Sequence, residues 1–238
     1  MREKRRRTIA LLLFILISVF VSFGYDDNRQ TPVDTEQTLT SAPPGSTKAL
    51  SALEELEIKG RAPKTGYERT EFLADWADIA GCDMRNRILD RDLSDIVVDR
   101  INGCHIISGK LTDPYTGNII NFKRGAETSR DVQIDHIVAL SDAWQKGAQQ
   151  LSAEVRARFA NDPLNLIAVD GPTNQDKGDG DAATWLPPNK GYRCRYVARQ
   201  IAVKLKYHLW VTLAENNAMA RQLQLCPDQV LPIESSGL

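Results

Sequence analysis

The chain has no cysteine pair at metal-binding spacing, only three histidines and no large surplus of either charge. Its four cysteines, Cys82, Cys104, Cys194 and Cys226, stand far apart; without a C-x-x-C pair they argue against structural zinc. Formal net charge is −1 over 238 residues. The first 24 residues carry Arg2, Lys4, Arg5, Arg6 and Arg7 against Glu3, a surplus of four, so everything after them sums to −5. A mildly acidic body does not coat nucleic acid by bulk charge, and any polyanion must be met by local basic groups. Two of the histidines, His105 and His208, lack acidic neighbours and read as structural. With 42% hydrophobic and 26% charged residues, the rest is ordinary globular composition, long enough for one domain with a sizeable core.

Large apolar side chains are almost missing from residues 25–50, where Thr, Ser, Pro, Asp and Gln read as a disordered linker. Before it, "MREKRRR" is a basic region and "IALLLFILISVFVSFG" is sixteen residues without a charge. That is the build of a secretory signal, and just short of a comfortable membrane span. Residues 1–24 are therefore read as a signal peptide or amino-terminal anchor, 25–50 as linker and 51–238 as the domain. The protein is expected to be secreted or extracytoplasmic, touching a membrane only through an uncleaved amino terminus. Export also suits an even cysteine count. Of three connectivities the sequential one is expected, Cys82–Cys104 and Cys194–Cys226, each closing a loop of roughly 20 to 35 residues and contributing about 3–4 kcal/mol in the chain-entropy model.

Along the domain, "YERTEFLADWADIA" places Phe72, Leu73, Trp76, Ile79 and Ala80 on one helical stripe ended by Gly81. "CHIISGKLTDPYTGNIINF" reads as a hairpin turning at Asp113–Gly117. A strand "VQIDHIVAL" follows, then helices around Ser141–Ala148 and Ala153–Ala160. "NLIAVD" is a short strand, and Pro172 suits the first turn of a short helix containing Asn174. After Pro187-Pro188, "YRCRYVARQIAVKLKYHL" is helical by its Tyr196, Val197, Ile201 and Leu205 stripe. Thr212 and Glu215 make a capping box for a last helix ending near Leu225. The fold class expected is α+β, mainly helical, with a β-hairpin.

Inside an alternating strand, Asp135 and His136 stand side by side. Neighbours on a strand point to opposite faces, so a pair serving one ligand calls for a twist or bulge there. Asn165 follows 29 residues after His136, and Asn174 nine further on. Asp-His on one strand, Asn at a second and Asn at a helix start resemble the ββα-metal unit of HNH nucleases. Together "YER…F…DW", "GCDMR", "DPYTG", "IDHIVAL.DAW..GA", "FANDPLNLIAVDGPTNQDKGD", "WLPP" and "YRCRYVAR", spanning Tyr67 to Cys226, resemble exported HNH endonuclease-family proteins similar to the carboxy-terminal nuclease module of GmrSD-type restriction enzymes.

That resemblance implies an embedded ββα unit and a metal-dependent phosphodiester hydrolase. Asp135 and the Asn174 amide oxygen would hold one divalent cation, His136 would be the general base, and Asn165 would tie down the loop and orient His136. An oxygen-rich donor set favours Mg²⁺ or Mn²⁺ over Zn²⁺. The substrate implied is nucleic acid, DNA favoured, cut to leave 5′-phosphate and 3′-hydroxyl ends. No recognition helix or base-reading arginine array stands out, so weak sequence preference is expected, and the chain is expected to act as a monomer.

Each residue also has a plainer reading. Alone, Asp135 is a turn carboxylate, His136 a half-buried histidine, and Asn165 and Asn174 turn or cap residues. Lys177 either contacts the scissile phosphate or is solvated; Asp179 and Asp181 read as cap or loop residues. Arg193, Arg195, Arg199, Lys204 and Lys206 form the strongest basic cluster, a solvated helix face by default, with Arg195 and Arg199 as candidate phosphate contacts. Trp144 and Trp185 read as core or lid residues, and Asp83 with Arg85 as an ion pair or cap. The rival from another class is a catalytically silent, envelope-associated module holding an anionic ligand in the same pocket.

Overall fold

The structure, a computed structural model, describes residues 47–232 apart from Asn102 and Glu127. The signal or anchor expected at 1–24, and most of the linker, lie outside the described residues. Among the described residues no helix is long and apolar enough to cross a membrane.

The fold is mixed, with seven described α-helices and three small antiparallel sheets. Packing already includes α1 (Ala49–Leu53), whose Ala49, Ala52 and Leu53 are buried; Lys48 bridges to Val230 at the other end of the described chain.

No helix forms over 67–80. That stretch holds a 3-10 turn at Arg69–Glu71 and strand β1 (Asp78–Ile79), paired with β2 (Cys82–Asp83). The reversal between them is local: the Asp78 carboxylate accepts from the Gly81 N–H at 2.7 Å. Ala80 and Gly81 both sit at positive φ, 57° and 80°, the pattern of a tight hairpin turn. Phe72 and Leu73 are buried all the same. The apolar spacing reports burial of an irregular segment, and Ile79 is exposed.

Asp83 does act as a cap. It accepts the Asn86 N–H at 2.8 Å at the head of α2 (Met84–Asp92), while Arg85 donates to the Val132 carbonyl at 3.1 Å. Helix α2 and the strand after it, β3 (Leu93–Val98), are not legible in the sequence pattern. β3 adds to the hairpin β4 (Ile106–Thr112) and β5 (Ile119–Lys123) to make a three-stranded sheet.

Strand β6 (Val132–His136) pairs with β7 (Leu166–Asp170) as a separate two-stranded ribbon. Between them lie α3 (Leu140–Trp144), cut short by Gly147 at φ 121°, and α4 (Ala153–Ala160), capped by Ser152. From β7 the chain passes straight into α5 (Gly171–Lys177), where Asp170 accepts the Thr173 N–H at 2.8 Å and Pro172 occupies the first turn. Helices α6 (Arg193–Lys206) and α7 (Leu213–Leu223) close the fold. Thr212 caps α7, but Glu215 does not complete a capping box: its carboxylate is buried among lysines instead.

The β6–β7 ribbon lies between two apolar clusters. Val132, Ile134, Leu166 and Ala168 face one, built with α2 and the three-stranded sheet. Ile167 and Val169 face the other, built with α1, α6 and α7. The disulfides pair as expected, Cys82–Cys104 and Cys194–Cys226.

Candidate active site

No bulge interrupts the ribbon at the Asp-His pair. The register runs unbroken from Val132 opposite Asp170 to His136 opposite Leu166. Asp135 and His136 therefore do point to opposite faces, contrary to the expected distortion. They still reach one cavity because, among the described residues, β6 pairs on one side alone. Gln133, Ile134, Asp135 and His136 all line a pocket of about 350 Å³, four consecutive residues along the open edge of the strand. A groove along an edge is accessible from both faces, so a regular strand suffices.

On one face, the Asp135 carboxylate is almost wholly buried. It accepts a hydrogen bond from the Tyr115 hydroxyl and lies 2.9 Å from Lys177 Nζ through each oxygen. Lys177 also donates to the His136 carbonyl at 2.8 Å. Lys177 is thus not solvated; its ammonium is fully buried against Asp135. Burial, and next the Asp135 charge, push the Tyr115 hydroxyl well above its usual range, so it donates.

On the other face, His136 stacks on Trp76 at 5.9 Å between ring centroids with 13° between planes. Its Nε2 lies 2.8 Å from the Ala160 carbonyl at the end of α4. A carbonyl only accepts, so the proton sits on Nε2 and the lone pair on Nδ1. Burial pushes the imidazole from 6.5 down to about 3, against the Ala160 carbonyl, which favours the charged form; the charges of Arg69 and Lys177 lower it further. His136 is neutral at physiological pH.

Asn165, fully buried, spans the turn after His136. Its Oδ1 accepts the Val138 N–H at 2.8 Å, its Nδ2 donates to the Val138 carbonyl at 3.3 Å, and its own carbonyl accepts the Ile137 N–H at 2.8 Å. Asn174, half-buried on α5, lines the pocket with Asp135. Its Nδ2 donates to Gln133 Oε1 at 2.9 Å, which fixes the amide and leaves Oδ1 without a partner among the described residues. The Asp135 carboxylate, already held by Lys177 and Tyr115, and the open Asn174 amide oxygen are hard donors of the kind Mg²⁺ or Mn²⁺ takes alongside water. Among the described residues no cluster of three or more His, Cys, Asp or Glu side chains could hold a metal.

Most of the basic cluster on α6 is engaged within the fold. Arg199 donates to the carbonyls of Leu164, Pro163 and Leu166 at 2.6, 2.8 and 2.7 Å, clamping the entrance to β7. Arg193 holds the Pro187 carbonyl at 2.7 Å, Lys206 pairs with Asp162 at 2.9 Å, and Lys204 is wholly buried. Arg195 and Lys206 stay on the surface, the Arg195 guanidinium 5.3 Å over the Tyr192 ring. Neither Arg195 nor Arg199 lines the pocket.

Asp179 does line it, accepting from Ser141 Oγ at 2.9 Å and Lys64 Nζ at 3.2 Å. The Ser141 hydrogen bond first, then Lys64, hold its carboxyl below the usual range despite partial burial. Asp181 is a loop carboxylate, as expected: it follows α5 and accepts the Ala183 N–H at 3.0 Å. It joins a buried charge cluster in which Lys146 lies 2.7 Å from Asp142, 2.7 Å from Asp181 and 2.6 Å from Glu215. Lys204 stands 2.9 Å from Glu215, and Arg61 lies 2.9 Å from Asp142 and 2.7 Å from Asp181.

Three residues at the site carry no assignment from sequence reasoning: Tyr115, Trp76 as the stacking partner of His136, and Arg69 on the pocket wall. For Tyr115 a signal exists in "DPYTG". Asp113 closes that turn on Thr116 N–H and Oγ1 and accepts the Asp170 N–H at 3.0 Å. A tyrosine at a hairpin tip anchored this way is turned inward, and it is fully buried.

Residues 83–222 match the family described as GmrSD restriction endonucleases, C-terminal domain. An "uncharacterized secreted protein" of Arthroderma benhamiae is 38% identical over 198 residues, covering 82% of this chain and 91% of the relative. No solved structure matches. The matched span runs from the cap of α2 to the last turn of α7 and includes Asp135, His136, Asn165 and Asn174; the chain belongs to the family of GmrSD restriction endonuclease C-terminal domains.

Proposed function

We propose that the protein is an exported endonuclease of the HNH type that hydrolyses phosphodiester bonds of nucleic acid, DNA foremost. The observation that carries this reading is geometric: His136, fixed in one tautomer by Ala160, lines a pocket shared with Asp135 and Asn174. The Ala160 contact leaves the Nδ1 lone pair free to take a proton, while burial, which lowers the imidazole pKa to about 3, makes it a weaker base than a solvated one. The order β6, β7, α5, with Asp-His at the end of the first strand and Asn174 on the helix, supports the ββα reading.

Asp135 and the Asn174 amide oxygen would hold the cation, which when bound supplies charge stabilisation on the phosphoryl and leaving oxygens. His136 Nδ1 takes a proton from water as its oxygen attacks phosphorus; the bond to the 3′ oxygen breaks and that oxygen takes a proton from a second water, leaving 5′-phosphate and 3′-hydroxyl ends. Positioned proton transfer of this kind contributes about 10²–10⁴-fold. Asn165 holds the turn that fixes the imidazole, and Trp76 keeps water from its far face. Export is supported by the relative's description as secreted and by two disulfides.

One observation favours the silent-pocket alternative: Lys177 already neutralises Asp135. A plasmid assay separates the two. The protein is expected to nick or cut plasmid with Mg²⁺ or Mn²⁺ and to stop with chelator. His136→Ala should lose at least about 10²-fold while keeping its circular dichroism. Full-rate cutting by His136→Ala would remove the mechanism.

A further inference from the structure

The pocket has to receive a polyanion, yet two of its walls are the carboxylates Asp135 and Asp179. Both are already balanced, Asp135 by Lys177 and Asp179 by Lys64. Neither lysine lines the pocket, and Arg69 is the only arginine or lysine among the described residues that does. Its guanidinium makes no hydrogen bond or ion pair with any described residue.

The backbone beneath Arg69 is held firmly. Its carbonyl accepts the N–H groups of Phe72 and Leu73, each at 3.1 Å. Both those side chains are buried, and Phe72 packs against Trp144 and Phe159. Two residues on, Arg156 grips Glu71, donating to its carbonyl and its carboxylate at 2.9 Å each. A fixed main chain carrying an unpaired cation beside a general base is what a preorganised phosphate contact requires. A guanidinium also matches two phosphoryl oxygens at once. Arg69 lies before residue 83, where the family match begins, so the matched span does not contain it.

We propose that Arg69 contacts the scissile phosphate and stabilises the charge that develops on its non-bridging oxygens. This rests on the nuclease reading above.

The test compares the disulfide-bonded exported protein with Arg69→Ala, Arg69→Lys and His136→Ala on a labelled DNA duplex with Mn²⁺, reading kcat and KM separately. The same proteins are titrated with duplex in chelator by anisotropy. Arg69→Ala should lower kcat/KM about 10²-fold, mostly in kcat, with Arg69→Lys between it and wild type. Its affinity in chelator should fall several-fold, with the salt slope reduced by about one. If wild type cuts, His136→Ala does not and Arg69→Ala equals wild type, the Arg69 contact is overturned and the nuclease reading stands. If wild type does not cut but Arg69→Ala weakens binding, the nuclease reading falls and the anion contact survives. No cutting and no change in binding overturns both.

Discussion

In the folded protein His136 refuses a proton until about pH 3, whereas the unfolded chain accepts it near 6.5. Between those values the unfolded state binds more protons, so stability rises with pH. The contribution is complete above about pH 6.5 and lost as pH falls toward 3. Each tenfold change in proton affinity is worth roughly 1.4 kcal/mol, which puts the whole effect at about 5 kcal/mol or less. Asp181 acts in a different window. Burial alone would raise it, but the hydrogen bond and charge of Lys146, with Arg61, outweigh burial and hold it at about 2. Its contribution is present above about pH 4 and lost as pH falls through 2. Urea titrations in chelator between pH 4 and 6.5 therefore report on His136. The slope of stability against pH should be clearly shallower in His136→Gln than in wild type; equal slopes would mean the imidazole is not held neutral.

Elements meet at the site through one contact with no room in it. A Cβ at Gly171 would stand 1.9 Å from the Arg130 carbonyl oxygen, a main-chain atom, while the Gly171 N–H donates to the Asp131 carbonyl at 2.9 Å. Its φ is not in the left-handed region, so space alone demands glycine. This is where β7 becomes α5, three residues before Asn174. Gly171→Ala should push α5 away from the 130–131 turn, costing at least about 1–3 kcal/mol in urea unfolding. It should also lower cutting by more than stability explains, because Asn174 and Lys177 move with the helix. Activity equal to wild type in fully folded Gly171→Ala would show that the position of α5 does not matter to the site. Element boundaries follow local chemistry closely here: Ser152, Asp170 and Thr212 cap helices, and the 104–122 hairpin turns at Asp113–Gly117. The segment 67–80 does not obey its apolar spacing, because Ala80-Gly81 and Asp78 make a turn and Phe72 finds its partners in α3 and α4.

Across the whole molecule, Lys146, Lys204 and Arg61 balance Asp142, Asp181 and Glu215, and all but Arg61 are buried. The six come from segments scattered between 61 and 215 and tie the loop after α5 to α3, α6 and α7. Removing one partner of a buried pair is strongly destabilising because the other charge stays behind. Lys146→Met should cost about 3–5 kcal/mol by urea denaturation. The difference should persist from 0.05 to 0.5 M salt, roughly the range that erases surface pairs. A loss below about 1 kcal/mol would mean that water or rearrangement replaces the cluster.

By itself the sequence determined the strands and helices with strong local chemistry, the sequential disulfide pairing, and the choice of Asp135, His136, Asn165 and Asn174 as the residues to watch. Those depend on turn residues, caps, periodicity and a motif, all carried within short stretches. Only the tertiary structure decided that the Asp-His strand stays regular with an open edge and that Lys177 faces Asp135 from 42 residues away. Folding also decided that Tyr115 turns inward, that Arg199 and Lys204 are structural, and that Arg69 stands unpaired at the pocket. The reason is physical. Whether a charged side chain meets water, a carbonyl or a counter-charge depends on segments distant in sequence, and burial makes those encounters decisive.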